Sequence, residues 1–380
     1  MPMVFIPRET TPGETRVAAV PDTARRLAKL GLEVRVQSGA GDAAGLPDDR
    51  YADAGATIVA DADAARAQAD AVFQVDPPTV AQVRAMKPGA VLVSFLWPLA
   101  RPDVVAALVE RRVTAFALDR VPRISRAQAM DALSSQANIA GYKAALLAAD
   151  ALPRLLPLLM TAAGTITPAR FVVMGAGVAG LQAIATARRL GAVVEVSDVR
   201  RAAKEQVESL GARFIEVDGA EDLEGAGGYA KEASADFLER QRAEVARRVA
   251  NADAVITTAL IPGRPAPRLI TDDMVRTMRP GSVIVDLAAE QGGNCEATVA
   301  GQVVVRHGVR ILGHRNLPAM VPFHASDMFA RNVLNVALHL FPKGAATLDF
   351  EDEITAGAVV VHDGAVRAPD VAAAGGGGAA

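Results

Sequence analysis

Short apolar segments alternate with helix-type segments along the first 120 residues. Strand candidates lie at 4–6, 34–36, 57–59, 71–75, 91–96 and 114–117, and helix candidates at 21–30, 64–69, 80–86 and 104–110. Strands that alternate with helices predict a parallel sheet covered by helices. No GxGxxG turn follows any of these strands, so this half is predicted to be an α/β domain without a dinucleotide loop of its own.

The same alternation returns after residue 170, with strand candidates at 171–174, 193–196, 213–217, 254–258, 282–287 and 309–312. A long helix is predicted over 138–156, which Pro153 should kink or end, and an amphipathic helix is predicted from about Ser326. The pattern predicts an α/β fold with two Rossmann-like, doubly wound parallel-sheet domains joined by long crossover helices.

The domain boundaries follow from the same pattern. The first domain would be discontinuous, with residues 1–135 and 326–380, and the second would hold residues 136–325. The alanine- and glycine-rich end, residues 371–380, is predicted to be a flexible tail.

Composition narrows the function classes. The chain is 51% hydrophobic but only 4% aromatic, so its cores should be aliphatic, and its net charge of −3 offers no basic field for nucleic acid or anionic lipid. The longest uncharged runs, such as 171–187, are too short to cross a bilayer, so no direct membrane insertion is expected. None of the five histidines stands in an HxxxH or HExxH spacing, so no metal site is expected.

A glycine turn stands between the strand at 171–174 and the helix that follows it. In Gly175-x-Gly177-x-x-Gly180 the first glycine permits the tight turn, the second lets backbone approach a pyrophosphate, and the third lets helix pack on strand. Asp198 ends the next strand, 198 − 175 = 23 residues after the first glycine. This context predicts a dinucleotide site with the pyrophosphate at the helix N-terminus.

The same region predicts which dinucleotide binds. The Asp198 carboxylate should accept a hydrogen bond from the adenosine ribose and repel a 2′-phosphate. The neighbouring basic pair, Arg200 and Arg201, could instead hold that phosphate. Because Asp198 stands at the strand end, the sequence favours NAD(H) over NADP(H).

Residues 121–135, VPRISRAQAMDALSS, interrupt the strand–helix alternation. The spacing of Ser125 and Gln128 matches a capping box at a helix N-terminus. The residues by themselves leave open whether this segment is a surface loop with a helix cap or belongs to a functional site.

Several longer motifs resemble one family. They are PRET…GETRVAAVPD, PRISRAQAMDALSSQANIAGY, VMGAGVAGLQAIATARRLGA, AGGYAKE, TTALIPGRPAP and LAAEQGGNCE. Nearly the whole chain resembles the soluble NAD(H)-binding component, domain I of the alpha subunit, of proton-translocating NAD(P) transhydrogenase, a family related to alanine dehydrogenase.

The resemblance implies an activity and partners. NADH on this chain would pass hydride directly to NADP⁺ on a separate subunit, and membrane-spanning transhydrogenase subunits would couple the transfer to proton translocation. The family also implies a homodimer that is cytoplasmic and attached peripherally to the inner membrane through these partner subunits.

The resemblance also implies site residues. Arg123, Gln128, Asp131 and Ser134 match the polar loop that holds the nicotinamide ring, with an Arg–Asp pair supporting the glutamine. Hydride transfer needs orientation of the ring and no acid or base at its reacting carbon. The family's nucleotide-binding positions correspond to Gly175, Ala176, Gly177, Val178, Gly180, Asp198, Val199, Arg200, Gly228, Tyr229, Gln241 and Leu260, with Gly228 and Tyr229 in a mobile lid and Leu260 beside adenine or ribose.

Two alternatives remain. An amino-acid dehydrogenase resembling alanine dehydrogenase needs groups that bind and polarise an imine or ketone. Arg16 matches that family's carboxylate-binding arginine, but Gln74 replaces its lysine, Pro98 its histidine and Glu290 its aspartate, so Arg16 is expected to form a structural salt bridge. A non-catalytic NAD-sensing module is the other alternative.

Overall fold

The computed structural model describes residues 1–216, 235–260, 265–342 and 344–376. The chain divides into two compact units, Met1–Gln136 with Ala319–Ala380, and Ala137–Pro318. The division expected between 325 and 326 lies between 318 and 319, in the 3₁₀ turn Leu317–Met320 that precedes the next long helix.

The described strands are β1 (Met3–Ile6), β2 (Glu33–Gln37), β3 (Thr57–Val59), β4 (Ala71–Phe73), β5 (Val91–Ser94), β6 (Thr114–Ala117), β7 (Leu159–Thr161), β8 (Gly164–Ile166), β9 (Arg170–Met174), β10 (Val193–Ser197), β11 (Arg213–Phe214), β12 (Ala254–Thr257), β13 (Val283–Asp286), β14 (Val303–Arg306), β15 (Val309–Leu312), β16 (Val359–His362) and β17 (Ala365–Val366).

The described helices are α1 (Pro21–Lys29), α2 (Asp48–Asp53), α3 (Ala62–Gln68), α4 (Val80–Arg84), α5 (Pro102–Glu110), α6 (Ala132–Ala151), α7 (Val178–Arg189), α8 (Ala203–Ser209), α9 (Ala235–Val249), α10 (Asp272–Thr277), α11 (Pro322–Leu340), α12 (Glu353–Ala358) and α13 (Pro369–Gly376).

Each unit has its own sheet, and both sheets are doubly wound. The first has the order β17-β16-β6-β5-β4-β1-β2-β3, and the second the order β11-β10-β9-β12-β13-β15-β14. The pairs from β3 to β6 and from β11 to β15 are parallel, whereas β16, β17 and β14 pair antiparallel at one edge of their sheets. The strand order reverses beside β1 in the first sheet and beside β9 in the second, which confirms the predicted fold class.

Apolar side chains cover both faces of each sheet. Along β9, Phe171 and Val173 belong to one buried cluster and Val172 and Met174 to another. Successive side chains of a strand point to opposite faces, so a continuous apolar run is what a strand buried on both sides requires. The crossover helix α6, predicted over 138–156, begins earlier, at Ala132, and ends at Ala151, ahead of Pro153, the residue predicted to kink or end it.

The C-terminal end differs from the expected flexible tail. Pro369–Gly376 is helical, and the side chain of Val371 is buried in the apolar cluster of the first unit. Alanine has the highest helix propensity, and proline is favoured at the first helical position, so the low-complexity composition is compatible with a helix. Residues 377–380 lie outside the described portion of the chain.

Measured by length and apolar content together, none of the helices in the described ranges could cross a bilayer.

Candidate functional site

The glycine turn of the second unit lies at the carboxyl end of β9, where the strand order reverses. Gly175 has φ +102°, a conformation that favours glycine, and a Cβ there would lie 2.5 Å from Thr258 Oγ1. A Cβ on Gly180 would lie 1.8 Å from the carbonyl oxygen of Gly175, so α7 packs directly on the turn. Gly177 differs, because a Cβ there would meet nothing within 4 Å.

The open space over Gly177 is therefore at the surface of the turn. Gly177 is the N-cap of α7, and the first backbone N–H groups of an α-helix have no partner within the helix. Val178, the first helical residue, is 41% exposed, whereas Ala176, on the other side of Gly177, is buried. The turn thus combines free space, N–H donors and the positive end of a helix dipole, which fits the pyrophosphate of a dinucleotide.

Asp198 lies against this turn because β9 and β10 are parallel neighbours. Their register pairs Met174 with Ser197, so the residues that follow the two strands meet. Asp198 Oδ2 accepts a hydrogen bond from the N–H of Ala176 at 2.7 Å. The Arg200 guanidinium contacts both carboxylate oxygens, with Nε at 3.0 Å and Nη2 at 2.9 Å. Acid and arginine therefore form a paired group at the strand end.

Other predicted nucleotide residues also lie near the carboxyl ends of these strands. Val199 stands between the paired residues and is partly buried. Gln241 Nε2, on α9, is 3.5 Å from Ser197 Oγ, at the limit of a hydrogen bond. Leu260 follows β12 and is 41% exposed. Gly228 and Tyr229 lie outside the described residues.

A buried amide that the sequence analysis missed fixes the backbone beside Leu260. Asn294 Oδ1 accepts from the N–H of Ala259 at 3.1 Å, and its Nδ2 donates to the carbonyl of Ala259 at 2.9 Å and to that of Pro267 at 2.8 Å. Asn294 is fully buried. Its position in QGGN carries no local signal of this contact, because the partners lie 27 and 35 residues away in sequence.

The polar loop, residues 123–134, belongs to the first unit. Ser125–Met130 is a 3₁₀ helix that is anchored by the buried side chains of Ala127 and Met130. Arg123 and Gln128 are exposed. The N-cap is Ile124, without a side-chain cap bond, so the predicted capping box at Ser125 is wrong.

Asp131 caps α6 instead. Its Oδ1 accepts from the N–H of Ser134 at 2.8 Å and its Oδ2 from Ser134 Oγ at 2.6 Å. The reason is local, because an aspartate directly before a helix can satisfy N–H groups of the first turn. Asp131 and Ser134 are thus brought together at the junction of the polar loop and α6. The pairing of Asp131 with Arg123 that the resemblance implies stays a prediction.

Arg16 of the first unit is enclosed by an acid, which confirms the expected structural salt bridge. Its Nε and Nη2 donate to the two carboxylate oxygens of Glu14 at 2.8 and 2.6 Å, and the side chains are 6% and 0% exposed. Burial acts to lower the pKa of Arg16, but the hydrogen bond and charge of Glu14 raise it above its usual value. Gln74 is also buried, donates to the carbonyl of Asp76 at 2.7 Å and accepts from Arg66 at 3.3 Å.

Comparison with known proteins shows which proteins this chain resembles. Residues 5–140 match the family described as alanine dehydrogenase/PNT, N-terminal domain, and residues 144–369 match its C-terminal domain. The chain is 45% identical over 365 residues to NAD(P) transhydrogenase subunit alpha of Haemophilus influenzae, covering 95% of this chain and 71% of that protein. It is 30% identical over 378 residues to alanine dehydrogenase of Mycobacterium tuberculosis, covering 97% and 95%.

A solved structure shares the fold. The crystal structure of transhydrogenase from Sinorhizobium meliloti superposes with a TM-score of 0.88 at 45% identity, covering 96% of this chain and 99% of that one.

The glycine turn yields a test that separates folding from binding. Gly177→Ala should leave the free energy of unfolding within about 1 kcal/mol of wild type, because its Cβ has room. The same methyl group should occupy the space for a pyrophosphate and raise the Kd for NADH by about 10-fold or more. Gly180→Ala, the comparison variant, should lose about 1–3 kcal/mol of stability through its clash with Gly175. Urea unfolding measures the stability of each variant, and fluorescence titration measures its Kd for NADH. Unchanged NADH affinity in Gly177→Ala would contradict the placement of the pyrophosphate over Gly177.

The Asp198–Arg200 pair is expected to determine the preference for NADH over NADPH. Asp198→Ala should lower the preference for NADH over NADPH by about 10-fold, because it removes a ribose acceptor and releases a guanidinium toward a 2′-phosphate. Asp198→Asn keeps an oxygen for the N–H of Ala176 and should shift the preference in the same direction with less loss of stability. Titration with both nucleotides measures the ratio; a ratio equal to wild type in both variants would exclude Asp198 as the determinant.

Proposed function

The chain belongs to the alanine dehydrogenase/PNT family, and on that premise we propose that it is the NAD(H)-binding component of a transhydrogenase. It binds NADH and serves hydride transfer to NADP⁺ that is held by a partner subunit. Membrane-spanning subunits couple this transfer to proton translocation, so the chain acts as an enzyme only with its partners, as a homodimer attached peripherally at the cytoplasmic membrane surface.

The second unit supplies the residues that would hold the dinucleotide. The space over Gly177 and the N–H groups of α7 receive the pyrophosphate, and Asp198 receives the adenosine ribose. When bound, NADH supplies the hydride. The remaining nucleotide contacts are proposed at Gly175, Ala176, Val178, Gly180, Val199, Arg200, Gly228, Tyr229, Gln241 and Leu260.

The polar loop supplies orientation. Arg123, Gln128, Asp131 and Ser134 hold the nicotinamide ring, directly or through the backbone. Gln128 is exposed on a 3₁₀ helix whose buried face is anchored by Ala127 and Met130, so its amide projects from a fixed base. Placement of the reacting ring is the main contribution a protein can make to direct hydride transfer.

The enclosure of Arg16 by Glu14 is the observation that favours a transhydrogenase component over an amino-acid dehydrogenase. Glu14 fills the Nε–Nη2 edge of this guanidinium and Gln136 accepts from its Nη1, so all three nitrogens are already engaged by buried side chains of the first unit, which argues against a substrate carboxylate there. Gln74 and Pro98 occupy the positions that resemble the lysine and histidine of alanine dehydrogenase, and neither can protonate or polarise a carbonyl as those groups do. The higher identity to a transhydrogenase subunit, 45% against 30%, supports the same choice.

Reconstitution tests the function. The chain is mixed with the NADP-binding subunit of a related transhydrogenase, and transfer is followed between NADH and an absorbance-shifted NADP⁺ analogue. Transfer with the partner, and no NADH oxidation by the chain alone with pyruvate and ammonium, is the expected result. Oxidation by pyruvate and ammonium would indicate an amino-acid dehydrogenase, whereas nucleotide binding with neither reaction would indicate a sensing module.

Gln128→Asn tests the orienting role in that assay. The shorter amide should lower the rate of hydride transfer by about 10-fold or more, because it misplaces the ring. The Kd for NADH should change less than about 3-fold, since the dinucleotide is held mainly elsewhere. Stopped-flow transfer and fluorescence titration give the two numbers, and equal losses in both would argue against an orienting role.

A further inference from the structure

One buried amide ties the polar loop to α11. Asn332 is 7% exposed, and its Nδ2 donates to the carbonyl oxygen of Ala129 at 2.9 Å. Its Oδ1 accepts from Ser135 Oγ at 2.7 Å. Because a carbonyl oxygen can only accept, Nδ2 must face Ala129, and the orientation of the amide is settled. Asn332 therefore connects the 3₁₀ helix Ser125–Met130 with the first turn of α6.

A series of buried donors leads to that amide. Arg16 Nη1 donates to Gln136 Oε1 at 3.0 Å, and Gln136 Nε2 donates to Ser135 Oγ at 3.3 Å and to the carbonyl of Ala325 at 3.1 Å. A guanidinium only donates and a carbonyl only accepts, so both ends of the Gln136 amide are also assigned. The hydrogen bonds that join Arg16, Gln136, Ser135 and the α11 amide all point toward the polar loop. We call this series the hydrogen-bond relay.

Arg16, the first residue of the relay, is held rigidly. Glu14 holds two of the donor nitrogens of Arg16 in a bidentate pair, which fixes the plane of the guanidinium and leaves Nη1 directed at Gln136. Hydrogen bonds that share donors and acceptors polarise one another in a buried setting, so the orientation of each amide depends on the one before it.

We propose that Asn332 is a positioning residue for hydride transfer and that the relay from Arg16 sets its orientation. The proposal rests on the proposed function, because it takes the polar loop as the segment that orients the nicotinamide ring. Gln128 is adjacent to Ala129 on the same short 3₁₀ helix. Asn332 donates the shorter of two hydrogen bonds to that carbonyl, at 2.9 Å against 3.3 Å from Asn335, and so limits the displacement of the backbone that carries Gln128.

The relay also gives Arg16 a role. In the resemblance to alanine dehydrogenase this position binds a substrate carboxylate. Here the guanidinium faces Glu14 and Gln136 inside the first unit. The arginine thus supports the loop that aims the ring.

Asn332→Leu is the first test, since leucine has similar volume and no hydrogen bonds. In the reconstituted assay with the complete chain, kcat should fall by about 10- to 100-fold, the scale on which small misplacements of reacting groups act. The Kd for NADH on the chain alone should change by less than about 3-fold. Amide hydrogen exchange of the peptide that covers residues 125–131 should become faster, which is a readout independent of activity.

Ser326→Ala is the matched control for a lost buried hydrogen bond. Ser326 is on α11, is fully buried, and its Oγ accepts from the N–H of Val17 at 3.1 Å, outside the relay. This variant should lose thermal stability but keep kcat within about 2-fold of wild type, since its bond does not reach the polar loop.

A second pair of variants tests the relay and not Asn332 itself. Ser135→Ala removes the donor to the buried Asn332 amide, so the melting temperature should fall somewhat although alanine favours the helix, and kcat should fall by about 3- to 10-fold. Ser135→Thr keeps a hydroxyl and should restore kcat to within about 2-fold of wild type.

The outcomes separate this proposal from the function it rests on. The proposal is overturned if Asn332→Leu slows transfer no more than Ser326→Ala does at an equal loss of melting temperature. It is also overturned if Ser135→Ala and Ser135→Thr behave alike, or if exchange over 125–131 is unchanged in Asn332→Leu. Absence of transfer in the wild-type complex would instead contradict the proposed function, and the exchange measurement would still decide whether Asn332 holds the loop.

Discussion

The hydrogen bond from the N–H of Ala176 to the Asp198 carboxylate is the contact on which the nucleotide site depends. It joins the residues that follow β9 and β10, and the parallel register of those strands brings them together. The glycine turn can then keep its narrow shape, with α7 packed against Gly175 through Gly180 and open space left over Gly177. One constraint therefore sets both the fold and the site: the carboxyl ends of β9 and β10 lie side by side where the strand order reverses.

The two units share this strand order but use it differently. In the second unit the reversal lies at a glycine turn with space and N–H donors. In the first unit the corresponding strand, β1, is followed by a segment that leads to Glu14 and Arg16, and the arginine is directed inward. A buried guanidinium that is paired with an acid orders its surroundings, although burial removes it from water. This arrangement fits the proposed role of the first unit in orienting the nicotinamide ring.

Sequence patterns predicted most strands of both sheets, because residues buried on both faces form uninterrupted apolar runs such as 171–174. The glycine spacing and Asp198 indicated a nucleotide site for a different reason, which is that those residues act through local backbone geometry. The sequence could not reveal Asn294, Asn332 or Gln136, whose partners are distant backbone carbonyls and side chains without a residue-specific signature. It also misplaced the helix cap at Ser125, whereas the side chain that accepts a backbone N–H at a helix start in this segment is Asp131, directly before α6.

A crystal structure of the chain with NADH would test the account most directly. The predicted result is a pyrophosphate within hydrogen-bonding distance of the N–H groups that follow Gly177, with the adenosine ribose hydroxyls on the Asp198 carboxylate. A dinucleotide bound away from the glycine turn, or one whose ribose makes no contact with Asp198, would contradict it.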